Sequence, residues 1–254
     1  MAALDRVLVP LPTPFTDDTT ALSEIRFARA LEFHREAGAF GVVIGGAAGE
    51  GASLSFSERK ALVDIAVRSA RTLPVYVAMQ VATTAAALDL CRHAGDAGVK
   101  GAIVALPTHV PLLHEEIEAF VTTLRRHSTL PVGVIGVPAD PSPVALAPTH
   151  LEGSWEGWRV FSHAMTDEWQ IGDLVCTPLA ALGVARLGML LKADEKTKTA
   201  ALSLCRHGYA VRLSRAVMEH YGLEIGPPRS PLGPLSSAGR ELMKVVLDAT
   251  APHG

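Results

Sequence analysis

Short, unbroken apolar runs alternate along the chain with longer segments whose apolar residues recur three or four positions apart. Arg6–Leu11, Phe40–Ile44, Pro74–Met79, Gly101–Leu106 and Pro131–Val137 predict five strands, and Trp158–Ser162 a sixth. Between them, Ser23–Ala37, Ser57–Ala70, Thr84–Ala97 and His114–His127 predict helices. Ser23 is placed as an N-cap, and Ser57-Glu58-Arg59 carries a capping signal. Gly38 and Gly98 stand where the first and third helices stop. Strands that are apolar throughout, not only at every second residue, are buried on both faces, as in a parallel sheet. Strand–helix alternation at a spacing of roughly 30 residues makes βαβ units. Six such runs by residue 162 favour an α/β fold of the TIM (β/α)8-barrel type over a doubly wound sheet.

The second half is less regular. Gly172–Cys176 predicts one more short strand and Leu179–Leu191 an apolar helix. Thr197–Ala210 and Leu213–Tyr221 predict amphipathic helices, and Glu241–Ala249 a final one. Two clean further βα units are not found, so the barrel is expected to be shortened or irregular in its last third. Residues 1–254 are expected to form a single domain, with about 205–254 as a C-terminal helical segment.

Composition bounds the function without naming it. Hydrophobic residues make up 48%, enough for a large core. Lys plus Arg is 23 and Asp plus Glu 26, a net charge of −3, which gives no footprint for nucleic acid or an anionic membrane. Cys91, Cys176 and Cys205 are widely separated, which suits reduced thiols better than disulfides or a zinc knuckle. The start MAALDRVLVPLP lacks a cationic segment followed by a long apolar run, and no apolar stretch reaches the ~18 residues of a membrane span. A cytoplasmic location is therefore expected.

Several segments, taken in order, resemble a known family. Leu11-Pro12-Thr13-Pro14-Phe15 is similar to a first-strand TPF motif. Gly46-Ala47-Ala48-Gly49-Glu50, with Ser53-Leu54-Ser55 and Glu58-Arg59, resembles a GTTGE…LS..ER signature. Leu130-Pro131-Val132 with Val137-Pro138 resembles a strand carrying LPV..YN.P. Gly226-Pro227-Pro228-Arg229-Ser230-Pro231-Leu232 and Pro234-Leu235-Ser236 resemble a G..R.PL.PLS tail. By these motifs the chain resembles the dihydrodipicolinate synthase and N-acetylneuraminate lyase family of pyruvate-handling aldolases. The likeness runs over roughly residues 7–163 and 208–250; the intervening stretch is some tens of residues shorter, at the seventh and eighth βα units.

The resemblance implies a Schiff base between a 2-oxo acid and a lysine at the C-terminal end of the sixth strand. Here Ser162 or His163 stands at that position, and neither forms an imine. The implied relay tyrosine of YN.P is Ile135, followed by Gly136, and aliphatic Ile135 carries no proton. The second implied tyrosine falls in Pro107-Thr108-His109, and the paired threonines are Ala47 and Ala48. Of the six lysines, only Lys192 is a plausible substitute, and the charged end of an amphipathic helix explains it better.

The candidate catalytic groups are therefore His163 and His109, which titrate near neutral pH. Thr13, Ala47, Ala48, Gly49, Thr108, Gly136 and Ser162 are the candidate substrate-binding positions. The Gly45–Gly49 turn lacks nucleotide-binding spacing, but its backbone could hold a carboxylate. Glu50 and Arg229 are expected to be structural, Arg229 tying the tail to the barrel. No HxH or HExxH spacing points to a metal, and no cofactor is implied. The expected ligand is a small 2-oxo acid or related carbonyl compound, handled without the Schiff-base route. A barrel without turnover, acting by metabolite binding or partner assembly, and an ordinary lyase using Lys192 are the alternatives. The resemblance also implies a homo-oligomer, a dimer or tetramer.

Overall fold

The computed structural model describes residues 7–80, 83–106, 112–135, 175–176, 178–205 and 209–251. The apolar runs form the strands β1 (Val7–Pro10), β2 (Gly41–Ile44), β3 (Val75–Gln80), β4 (Gly101–Ala105) and β5 (Val132–Ile135). The helices between them are α1 (Glu24–Glu36), α2 (Phe56–Ser69), α3 (Thr84–Ala97) and α4 (His114–His127). Every described strand pair is parallel, in the order β5-β4-β3-β2-β1-β6, where β6 is Val175–Cys176. The expected strand at Gly172–Cys176 thus exists over two residues, and it pairs with β1, Val7 opposite Val175. β1 therefore has a neighbour on each edge. The shortfall expected in the last third does not remove the strand beside β1. The expected strand at Trp158–Ser162 lies outside the described residues.

Both faces of β1 to β4 are buried, which is why those runs are apolar without alternation. Leu8, Val43, Tyr76 and Ile103 form one cluster, a layer contributed by successive strands. The alternate residues Val7, Val9, Val42, Ile44, Val75, Val77, Met79, Ala102 and Val104 join the larger cluster with the helices. Burying each large aliphatic side chain stabilises by about 1.5–3 kcal/mol.

The cap of α2 differs from the expected one. Ser55, not Ser57, caps α2: its Oγ accepts the Glu58 N–H at 3.2 Å, and the Glu58 carboxylate accepts the Ser55 N–H at 2.8 Å. This reciprocal capping box needs the acid three residues on, which Ser57 does not have. Beyond β6, a 3-10 segment (Pro178–Leu182) leads to α5 (Val184–Leu190), α6 (Glu195–Cys205), α7 (Tyr209–His220) and α8 (Ser237–Ala249). The single helix expected over Leu179–Leu191 is divided at Gly183, whose φ of 100° lies outside helical space. The last helix starts earlier than Glu241, because Ser236 Oγ accepts the Gly239 N–H at 3.2 Å and caps it there.

Among the described residues, the buried side chains of His34 and Ser214 have polar atoms without a hydrogen-bond partner. His34 on α1 is fully buried and neither ring nitrogen has a hydrogen-bond partner. Burial pushes its imidazole from the ordinary 6.5 down to about 4. Between those values the unfolded chain holds a proton that the folded chain lacks. Stability therefore falls as the pH drops below 6.5. The expected loss from this group is up to about 1.4 kcal/mol per pH unit. Urea unfolding of wild type and His34→Leu from pH 7 down to pH 4.5 checks this. The variant should lose less stability on acidification, and parallel curves would refute the assignment.

Candidate active site at the barrel mouth

The parallel register brings the C-terminal ends of the strands to one side, with Gln80 opposite Ala105 and Ala105 opposite Ile135. The loops that leave those ends build the mouth. Two of them are described throughout, Leu11–Ser23 after β1 and Gly45–Ser55 after β2.

The two loops are joined at Thr13. It is buried, and its Oγ1 donates to the Gly49 carbonyl at 2.5 Å. Ala48 and Gly49 are buried beside it, while Ala47 is exposed. The turn closes through Glu50 N–H to Ala47 O and Gly51 N–H to Gly46 O, both 3.0 Å. Among the described residues, the N–H groups of Ala47, Ala48 and Gly49 donate to no backbone carbonyl. Thr13, Ala47, Ala48 and Gly49 are thus brought together as expected of one wall. Of the remaining candidates, Thr108, His109, Gly136, Ser162 and His163 lie outside the described residues, and Ile135 is described only as the last residue of β5.

Beneath this turn lies a buried ionic knot. Glu50 takes a left-handed conformation, φ 53°, which costs a non-glycine residue about 1–3 kcal/mol. Its carboxylate accepts from Arg215 of α7 through Nε at 2.8 Å and through Nη2, and from the Arg229 N–H at 3.0 Å. Arg215 also donates to Thr13 O at 2.7 Å and to Gly226 O at 2.8 Å. Burial draws the Arg215 guanidinium below its ordinary pKa, while the charge and hydrogen bonds of Glu50 oppose that. Arg229 ties the tail down, as expected. Its guanidinium donates to Glu58 at 2.5 and 3.1 Å, to Ser53 O at 3.1 Å and to Thr19 O at 3.0 Å, and lies 4.4 Å above the Phe15 ring. The Arg229 hydrogen bond holds the Glu58 carboxyl down at about 2. Arg59 completes the frame, donating to Gln80 O at 2.6 Å at the end of β3.

Arg215 is the residue that the sequence reading missed. The residues 213–218 are all buried. An arginine beside the apolar positions Leu213, Ala216 and Val217 is the signal: a buried cation there requires a buried acid elsewhere.

All six lysines fall within the described residues, and none is buried. Lys60 pairs with Asp89 at 2.8 Å and Lys198 with Glu195 at 3.1 Å. Lys100 stands before β4, at the end opposite the mouth, and Lys192 is exposed just after α5. From residue 101 to residue 191 the chain has no lysine at all. Among the described residues no cluster of His, Cys, Asp or Glu is placed to hold a metal ion, and no helix is long and apolar enough to cross a membrane.

Close approach also constrains the loop at Gly51. A Cβ added there would collide with the Gly45 carbonyl oxygen. Backbone on backbone cannot yield cheaply, so Gly51→Ala is expected to cost about 2 kcal/mol or more of unfolding free energy. Chemical denaturation measures it, and a variant as stable as wild type would show that the turn can relax.

Comparison with known proteins agrees with this architecture. Residues 3–150 match the model of the dihydrodipicolinate synthetase family. A 4-hydroxy-tetrahydrodipicolinate synthase of Rhizobium meliloti is 32% identical over 132 residues, covering 52% of this chain and 44% of that protein. An uncharacterized DapA-like lyase of Pyrococcus abyssi is 30% identical over 145 residues, 56% of this chain and 47% of that one. The chain thus spans about half the length of the curated relatives it matches. Among solved structures, dihydrodipicolinate synthase of Cyanidioschyzon merolae with lysine bound superposes with a TM-score of 0.80 at 15% identity, covering 97% of this chain and 98% of that one. A catalytic lysine mutant of Ruminococcus gnavus sialic acid aldolase gives 0.74 at 15%, covering 97% and 96%. The fold is the TIM-type barrel of these proteins, and the chain belongs to the dihydrodipicolinate synthetase family.

Proposed function

We propose that this single barrel domain binds a small 2-oxo acid or related carbonyl compound at its mouth and handles it without a Schiff base. The observation that carries this reading is the distribution of lysines. A family barrel has eight strands and β6 pairs with β1, so the family's sixth strand is sought after β5, which ends at Ile135, and before Val175. No lysine occurs anywhere in that interval, so the reading does not depend on how the interval is aligned. Lys192, the one substitute considered, is exposed and follows a helix. An imine needs an amine within bonding reach of the ketone carbon.

The ligand class follows from the wall that is retained. Backbone donors of the Gly46–Gly49 turn suit a carboxylate, as such concave backbone amides do elsewhere. Methyl groups at Ala47 and Ala48 leave the backbone as the turn's polar surface. In place of a lysine and tyrosines, His163 is the proposed acid–base group, with His109 as its partner and Thr108, Gly136 and Ser162 as further binding positions. A homo-oligomer and a cytoplasmic setting belong to the same proposal.

Two measurements test it. Incubation with pyruvate and sodium borohydride, followed by intact-mass spectrometry, should leave the mass unchanged, because reduction fixes only an imine. A stable adduct mapped to Lys192, or to any lysine, would sink the reading. A thermal-shift screen of pyruvate and longer 2-oxo acids should raise the melting temperature for at least one. Where turnover of that compound is found, His163→Ala should lower kcat by about 100-fold, the usual scale of general acid–base catalysis.

A further inference from the structure

The C-terminal segment reaches the mouth through one guanidinium. Arg215 lies 165 residues from Glu50 in sequence, yet the two side chains are only 5% and 0% exposed and bonded to each other. The same guanidinium acts on both residues at the base of the Gly46–Glu50 turn. It binds the Glu50 carboxylate directly. It also binds the carbonyl of Thr13, whose hydroxyl in turn holds the Gly49 carbonyl at 2.5 Å. The second Glu50 oxygen is held by the Arg229 N–H. Gly226, with φ 80°, seats the tail against this knot, where a Cβ would collide with Phe15 O.

We infer that Glu50 is a positioning residue: clamped by Arg215 and Arg229 of the C-terminal segment, it sets the backbone of Ala47–Gly49, and so the affinity of the mouth for a carboxylate. The inference rests on the carboxylate-ligand reading for its second half only. Its physical basis is the unfavourable conformation that the loop adopts. Glu50 stays left-handed only while three donors hold its carboxylate. Buried ion pairs contribute little net stability, since desolvation offsets their attraction, whereas their geometry is strict. A pair of this kind therefore determines where the turn lies more than it determines whether the barrel folds.

Hydrogen exchange of the full chain, read by mass spectrometry, tests the first half without any ligand. In Glu50→Gln the peptide covering 45–53 is expected to exchange roughly ten- to a hundredfold faster, the loss of a charged hydrogen bond expressed as a rate. Peptides from β2 to β4 should exchange as in wild type once the stranded Arg215 charge is removed as well. Glu50→Leu/Arg215→Met, which fills the same space with apolar side chains, should show the same local effect at near wild-type melting temperature. Thr13→Val removes only the link to Gly49 and should give a smaller rise. If Glu50→Gln does not fold, the double variant and Thr13→Val still decide the question. Unchanged exchange at 45–53 in the variants, or a rise shared by the whole chain in the double variant, overturns the inference. Titration with pyruvate tests the second half, and Glu50→Gln is expected to bind at least about tenfold more weakly. Faster loop exchange with unaltered pyruvate affinity overturns it. Wild-type protein that binds no 2-oxo acid, with faster loop exchange in the variants, overturns the ligand reading and leaves the positioning role standing.

Discussion

A single buried guanidinium is the constraint around which the described part of the mouth is arranged. Arg215 has to satisfy its donors in a space that excludes water, and it does so on Glu50, Thr13 O and Gly226 O. Those acceptors belong to the loop after β2, the loop after β1 and the C-terminal segment. Three pieces of chain that are distant in sequence must therefore meet at one point. Removing either charge would strand the other in the interior, which costs far more than the intact pair contributes. The helical segment after the barrel strands is accordingly part of the site's framework.

This separates the family motifs by physical role. Residues retained from the signature are those that shape the backbone. Glu50 takes the buried charge, Ser55 and Glu58 cap α2, Arg59 ties β2's loop to β3, and Arg229 clips the tail to Glu58. In the proposed reading, the differences fall on residues that the resemblance assigns to proton transfer and imine formation. By that resemblance the threonine pair falls at Ala47-Ala48 and the strand-five tyrosine at Ile135, and no lysine occurs between 101 and 191.

Glu58 illustrates how tightly that scaffold is used. One carboxylate accepts the Ser55 N–H as part of the capping box and also receives Arg229. The cap sets where α2 begins, and the Arg229 contact sets where the tail lies on it. A single acid thus aligns a helix start with a segment 171 residues later.

Most of the frame could be read from local pattern. The bounds of Thr84–Ala97 and His114–His127 agree with the observed helices, because apolar periodicity and end signals are local properties. The strands β1 to β4 were visible as apolar runs, since both of their faces are buried. The absence of lysine from the middle of the chain is likewise a property of sequence alone. Other features depended on what is distant. Ser55 rather than Ser57 caps α2 because the acid at Glu58 answers it, and Val175–Cys176 gains its meaning by pairing with β1. Arg215 looked like one more charge on an amphipathic helix, and only its burial against Glu50 reveals its role. Periodicity reports which face of an element is apolar, whereas an ion pair between residues 50 and 215 is created by the path of the chain, which no local pattern encodes.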